Sequence, residues 1–416
     1  MKVVVQKFGG TCVESEASQL ITAERLMEAR DRGLHPVAVI SAMGREGQPY
    51  STMEIVRTTT RIHPNIEPRE LDLLMSCGEI ISTVALAHLL RTKGYETIAL
   101  SGGQAGLITD GHFGHARIVE IRPDMLLKAL QDGYMVFVAG FQGNTPDHQI
   151  TTLGAGGSDY TAVALAWVIS QTPQLPFGEK LEVVPLQIFK EVDGVMTANP
   201  NSLIDGQIAQ TIAQLTYDEC VCMSRLGAEV LQQQAAEMAR EHRIAIEVRN
   251  FGVADREGTT VGSAVPSRGD RATGVADQAK LLTFGVNDAS PRLALQIAER
   301  LDRARLTYFP LEGPRPGHRF AVRPLKYRSA ERIVRQVLDG RGVDADITVD
   351  TFALVSIIGE ALRLRLDHWD EQARRTLRDA GIEIHGTSRD EVCLSYLVPE
   401  GDRLKAVSSL HRALVL

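Results

Sequence analysis

Long apolar runs, a basic patch and a cysteine framework are all missing from this sequence of 416 residues. No run of about 18 apolar residues marks a membrane span. The opening MKVVVQKFGG carries too short an apolar stretch for a signal peptide. No cluster of Lys and Arg stands out against a net charge of −7, which argues against nucleic acid as a partner. The five cysteines, Cys12, Cys77, Cys220, Cys222 and Cys393, are odd in number, and their spacing fits neither a disulfide framework nor a zinc ribbon. They read as reduced thiols of a cytoplasmic protein that needs no metal site made of its own side chains and binds no membrane.

What is present suits a soluble globular chain, with 44% hydrophobic and 23% charged residues, long enough for two or three domains with sizeable cores. Over residues 1–265, apolar runs alternate with stretches of helical period. KVVVQKF, HPVAVISAM, TIALSG, YMVFVAGF, LQIFKEV and IAIEVRNF read as buried strands, and ELDLLMSCGEIISTVALAHLLRTKG as a helix between two of them. This alternation predicts an α/β fold of three layers, with ligands at the carboxyl ends of the strands. Residues 266–278 are polar and read as a linker. From 279 to 416 a β-α-β-β-α pattern occurs twice, which predicts two small α+β modules suited to ligand binding or dimerisation.

Two glycine-bearing loops carry the chemistry. In VVVQKFGGT, Lys7 ends a strand and Gly9, Gly10 and Thr11 follow, so the backbone can approach phosphate oxygens while the lysine meets their charge. A helix starting just after would add its positive end; an ordinary strand-to-helix turn has the same pattern. In ITTLGAGGSDYTAVALA, Gly154, Gly156 and Gly157 lead into Ser158 and Asp159, which would hold Lys7, a metal or the proton of a nucleophile. Glu79 sits among apolar neighbours in its helix, so it must pair with a cation, either a substrate ammonium or a structural arginine.

These motifs, together with VISAMG, SCGEIIS, GGQAGLITDGHFGHARI, VDGVMTANP and RLGAEVLQQ in this order, resemble the aspartate kinases of the amino-acid-kinase family over nearly the whole chain. The resemblance implies transfer of the γ-phosphoryl group of ATP, with Mg2+, to the β-carboxylate of aspartate or of a related small amino acid or carboxylate. It implies a three-layer amino-acid-kinase domain followed by two ACT-like modules, and a homodimer or a pairing with a related chain through those modules. It places Lys7 and Asp159 as the catalytic pair. Lys7, Gly9, Gly10, Thr11, Glu191 and Asp193 would bind ATP, and Ser41, Glu79, Gly156, Gly157 and Ser158 the substrate.

Several positions depart from the family pattern. Ala155 stands where an arginine usually grips the α-carboxylate. Asn199 and Asn201 replace an acidic residue and an arginine, Lys190-Glu191 replaces a Thr-Asp pair, and Glu229 replaces a lysine near the nucleotide. These departures leave two alternatives to an aspartate kinase: a kinase for another small acid or amine, and a catalytically impaired relative acting as a ligand-binding or partner subunit.

Overall fold

The run KVVVQKF forms strand β1 (Lys2–Phe8), and its unbroken burial from Val3 onward marks a central strand covered on both faces. The computed structural model describes residues 1–416 except 45–46, 173, 176–177, 229–230, 254–255, 265–268, 287–289, 313–317, 340–344 and 347–350. The chain divides into two compact units: Met1–Val195, Thr211–Val221 and Val230–Ala264 in the first, and Met196–Gln210, Cys222–Glu229 and Val265–Leu416 in the second.

In the first unit, β1 lies between β2 (Leu34–Ile40) and β5 (Leu186–Lys190). With β3 (Thr97–Leu100), β4 (Met135–Ala139) and β6 (Ile246–Asn250), the spatial order is β3-β4-β2-β1-β5-β6, and every one of these pairings is parallel. All six strands read from the sequence are therefore present. Side chains alternate across the sheet. Phe8 and Phe189 enter one core, shared with Leu26 of helix α1 (Glu16–Asp31) and with Leu86 and Leu90 of helix α2 (Pro68–Thr92). Lys7, on the other face of β1, meets helix α3 (Gly157–Gln171). The result is three layers, helix–sheet–helix.

Helix α2 is longer and more apolar than the absence of a continuous run suggested. An 18-residue window reaches a mean hydropathy of 1.7, enough by length and composition alone to cross a bilayer. Small and polar residues interrupt the run, and in the folded unit Asp72, Ser76, Glu79, Ser82 and Thr83 lie on its buried side. A small sheet of Leu107–Thr109, Ile118–Ile121, Gln142–Asn144 and Ile150–Thr152 leads the chain into the loop before α3.

The second unit carries the repeat. Its first copy is β7 (Gly274–Val286), α4 (Pro291–Arg303), β8 (Tyr308–Leu311), β9 (His318–Val322) and α5 (Pro324–Leu338). Its second is β10 (Thr351–Ile358), α6 (Leu366–Asp379), β11 (Gly386–Asp390), β12 (Cys393–Pro399) and α7 (Arg403–Leu414). The strands form one antiparallel sheet ordered β8-β9-β7-β10-β12-β11, so the two copies meet at β7 and β10. Residues 274–278, read as the end of a linker, are instead the first residues of β7, where their pairing with β10 outweighs the polar composition; 266–268 lie outside the described residues. Residues 196–210 and 222–229 group with this unit although they precede residue 265.

Candidate active site

Lys7 reaches the carboxyl end of β1, and its Nζ lies 2.7 Å from Oδ1 of Asp159 in the first turn of α3. Both side chains are nearly excluded from solvent. The second carboxylate oxygen, Oδ2, accepts the backbone amide of Gln232 at 3.2 Å. Burial pushes the Asp159 carboxyl up, but Lys7, and behind it Lys190, pull it down further, so it lies below the usual carboxylate value. The pair is charged and fixed. Of the roles open to the Ser158-Asp159 pair, the geometry shows Asp159 holding Lys7.

The loop before α3 explains its glycines. Gly156, at φ +76°, is the N-cap of α3, and a Cβ there would also stand 2.8 Å from the Gln232 side chain. No side chain caps this helix; in its first turn the Gly157 amide donates to the Gly154 carbonyl and the Asp159 amide to the Gly156 carbonyl, both at 2.9 Å. Ala155 is exposed and apolar at the tip of that loop.

The first loop differs from expectation. Gly10–Cys12 is a single 3-10 turn, and helix α1 begins only at Glu16. The Ser15 side chain accepts from the Ser18 amide in a capping box, which satisfies an orphan N–H of α1 locally. The start of α3, in contrast, has no side-chain cap. Gly9, Gly10 and Thr11 still follow Lys7 directly, and a Cβ on Gly10 would lie 2.8 Å from the carbonyl oxygen of Ala42, so the loop after β2 packs closely against it.

That loop carries Ser41, whose amide donates to the Phe8 carbonyl and whose carbonyl accepts the Ser82 hydroxyl of α2. Oε1 of Glu79 accepts the Ala42 amide at 3.2 Å, while Oε2 has no hydrogen-bond partner among the described residues. Burial raises the Glu79 carboxyl to about 8, and no described arginine pairs with it. An acidic group is thus held beside the Ser41 loop with an unused buried oxygen.

Asp193 follows β5 and is held by the Asn250 side chain at 2.9 Å and by Arg256 at 2.9 Å, so it organises the loop; Glu191 accepts the Asn250 side chain through its carbonyl. Asn199 and Asn201 belong to the second unit, where the Asn199 side chain accepts the Asn201 amide at 3.0 Å. Glu229 lies outside the described residues.

Sequence reasoning missed Asp72. It is fully buried on α2, seven residues before Glu79, and accepts from the Gly114 amide at 2.9 Å, the Thr152 amide at 2.7 Å and the Thr152 hydroxyl at 2.8 Å. It ties the GHFGHAR loop to the strand that enters the glycine loop. The signal was available: Asp72 lies two turns from Glu79 along the same helix, and the same burial argument applies.

A parallel sheet covered by helices, with a lysine–aspartate pair and glycine loops at its carboxyl edge, is the arrangement of a small-molecule phosphotransferase, and residues 2–250 match the model of the amino acid kinase family. The chain belongs to that family and, within it, to the aspartokinases, as full-length relatives show. It is 32% identical over 429 residues to an aspartokinase of Bacillus sp. (strain MGA3), covering 100% of this chain and 98% of the relative. It is 31% identical over 425 residues to aspartokinase 1 of Bacillus subtilis (strain 168), covering 100% of both. Among solved structures, E. coli aspartokinase III in complex with aspartate and ADP (R-state) is similar in fold, with a TM-score of 0.76, 20% identity and 99% coverage of each chain. The aspartate kinase of Clostridium acetobutylicum matches with a TM-score of 0.71 and 16% identity, over 99% of this chain and 100% of that one.

Proposed function

We propose that this chain transfers the γ-phosphoryl group of ATP to the β-carboxylate of L-aspartate. The observation that carries the reading is the buried Lys7–Asp159 pair at 2.7 Å, standing at the carboxyl edge of β1 with Glu79 beside the neighbouring loop. The full-length aspartokinase relatives support the same substrates.

The geometry gives each residue a task. An aspartate carboxylate is ionised at neutral pH, so its oxygen attacks the γ-phosphorus without a general base; the bond to the β–γ bridging oxygen breaks, leaving ADP and an acyl phosphate. Lys7 meets the charge spread over the transferring group. Asp159 does not take a proton: its oxygens are committed to Lys7 and the Gln232 amide, so it fixes the lysine. Gly9, Gly10 and Thr11 bring backbone to the phosphates, and Gly156, Gly157 and Ser158 form the wall on the substrate side. Glu79 receives the substrate ammonium on Oε2, with Ser41 next to it. Glu191 and Asp193 belong to the nucleotide loop, the first exposed and the second held as its brace. The described side chains provide no metal cage, so Mg2+ would arrive on the phosphates, as a cation that keeps several of its waters does. When bound it neutralises phosphate charge.

The five free cysteines accord with a reducing, cytoplasmic setting. The assembly we infer is a homodimer, or a pairing with a related chain, through the ACT-type repeat. Unpaired sheet edges do not supply the reason, because Glu312 beyond β8 and Thr387 of β11 exchange backbone hydrogen bonds at 2.7 and 2.8 Å and join the two ends of that sheet.

The test is ADP release from Mg-ATP across a panel of amino acids and small carboxylates. L-aspartate should be the acceptor, and turnover should vanish in Lys7→Ala. Preference for another acid would move the reading to a different substrate, and no turnover with any acceptor would favour a binding subunit.

A further inference from the structure

Two cysteines that lie far apart in the sequence, Cys222 and Cys393, meet in the second unit. Cys393 opens β12, opposite Ile358 of β10, which is in turn opposite Gly274 of β7. Side chains alternate along a strand. Leu394, Tyr396 and Val398 enter the core that holds Trp369 of α6 and Leu410 of α7, so Cys393 and Ser395 point to the other face of the sheet. That face is closed as well: Cys393, Ser395 and Ser356 are all buried. The Ser356 hydroxyl donates to Ser395 at 2.7 Å, which leaves the Ser395 proton for the Cys393 sulfur at 3.5 Å. The end of the helix Tyr217–Arg225 packs against the same sheet. A Cβ on Gly274 would stand 3.1 Å from the Met223 methyl, and Arg225 donates to the Tyr308 carbonyl at 3.2 Å. Cys222, half-buried in that turn, forms a hydrogen bond with the Cys393 thiol. This bond, and then burial, push the Cys222 thiol up, while the same bond holds the Cys393 thiol down; Arg225 pulls both down and Asp390 pushes both up.

We propose that Cys222 and Cys393 form an oxidation site, a thiol pair that hydrogen peroxide closes to an intramolecular disulfide. Thiols in hydrogen-bond contact need only a small side-chain rotation to reach the S–S bond of about 2 Å. The two sulfurs have different tasks. Cys222 is the one an oxidant reaches, because Cys393 is buried beneath it. The Cys222 sulfur attacks one peroxide oxygen as the O–O bond breaks; the released oxygen takes the thiol proton and leaves as water, and Cys222 becomes a sulfenic acid. The Cys393 sulfur, already in contact and the more acidic of the two, then attacks the Cys222 sulfur. The S–O bond breaks, and the departing hydroxide takes the Cys393 proton as a second water. Two thiols and one peroxide thus give one disulfide and two waters, the sulfurs losing the two electrons that the peroxide oxygens gain. The bridge fastens the end of the helix Tyr217–Arg225 to the start of β12, and a dithiol reductant reopens it. Reduced thiols remain the resting state of a reducing compartment.

The experiment is peroxide treatment of the folded full chain, removal of the peroxide with catalase, alkylation in denaturant and peptide mass spectrometry, with thermal melts beforehand to verify folding. The exposed Cys77 is the internal reference for oxidant exposure. The parent should yield a linked peptide pair that contains Cys222 and Cys393, lost on treatment with dithiothreitol. Cys393→Ser should accumulate the sulfenic acid at Cys222, trapped by dimedone roughly ten-fold or more above the parent, because the sulfur that resolves it is gone. Cys222→Ser should leave Cys393 alkylatable under the same exposure. Free thiols at both positions of the parent under peroxide that oxidises Cys77 would overturn the proposal. So would oxidation of Cys222 to the sulfinic acid with no linked peptide, or equal dimedone labelling in the parent and Cys393→Ser. The readout uses neither nucleotide nor aspartate, so its failure leaves the assigned reaction untouched.

Discussion

Replacing Glu79 by glutamine should make the ligand-free protein more stable and its substrate binding worse. The side chain is buried, with one oxygen on the Ala42 amide and the other without a described partner, and its folded pKa is about 8 against an ordinary 4.5. The sign follows from linkage. Between these values the unfolded chain has released the proton and the native chain still holds it, so stability falls as pH rises through this window. Each unit corresponds to about 1.4 kcal/mol, giving about 3 kcal/mol at pH 7 and about 5 kcal/mol above the window. Glutamine keeps the acceptor for Ala42 and does not ionise in either state. Glu79→Gln should therefore match the parent near pH 4 and exceed it by about 3 kcal/mol at pH 7. Denaturant midpoints across pH measure this. Aspartate binding should move the other way, weakened at least ~30-fold by loss of a charge-paired contact of about 2 kcal/mol or more. In the parent, aspartate binding at pH 7 should release close to one proton, visible as a dependence of calorimetric heat on buffer ionisation enthalpy. The same pH dependence of stability in parent and variant, or no proton release, would refute the assignment of Glu79 to the substrate ammonium.

Other perturbations test other parts of the site. Lys7→Ala should reduce kcat by at least ~100-fold, since a charged donor to the transferring group is lost; steady-state kinetics with Mg-ATP and aspartate check it, and an unchanged kcat would remove Lys7 from the chemistry. Ala155→Arg should tighten aspartate binding roughly ten-fold or more, about 1.4 kcal/mol, in a titration at fixed Mg-ATP; no gain in a folded variant would show that the α-carboxylate is gripped from elsewhere. Asp72→Ala strands the Gly114 amide and both Thr152 donors, and should cost about 3 kcal/mol or more of stability, read from urea midpoints. Light scattering should give a particle larger than one chain at micromolar concentration; a stable monomer, alone and with a related chain, would remove the assembly proposal.

The strands were legible in the sequence because buried parallel strands carry continuous apolar runs, such as VVV within KVVVQKF and nearly all of YMVFVAGF. The doubled β-α-β-β-α order was legible for the same reason of periodicity. The start of β7 was not: VADQ in Gly274–Val286 is polar by composition and becomes a strand through its partners on β10. In the site, the glycine loops and Lys7, Asp159 and Glu79 announced themselves by residue type. What stayed hidden depends on three-dimensional neighbours. The capping box at Ser15 withdraws the start of α1 from ligand binding. Gln232 contributes a backbone amide, which no side-chain pattern reveals.

The account stands most directly on whether an acyl phosphate of aspartate is made. Incubation of the full chain with Mg-ATP, L-aspartate and hydroxylamine, with quantitation of aspartyl β-hydroxamate and ADP, measures it. The predicted result is hydroxamate and ADP formed in equal amounts, dependent on aspartate and lost in Lys7→Ala. A folded, nucleotide-binding chain that forms neither product would contradict the claim that the Lys7–Asp159 pair serves phosphoryl transfer to a carboxylate.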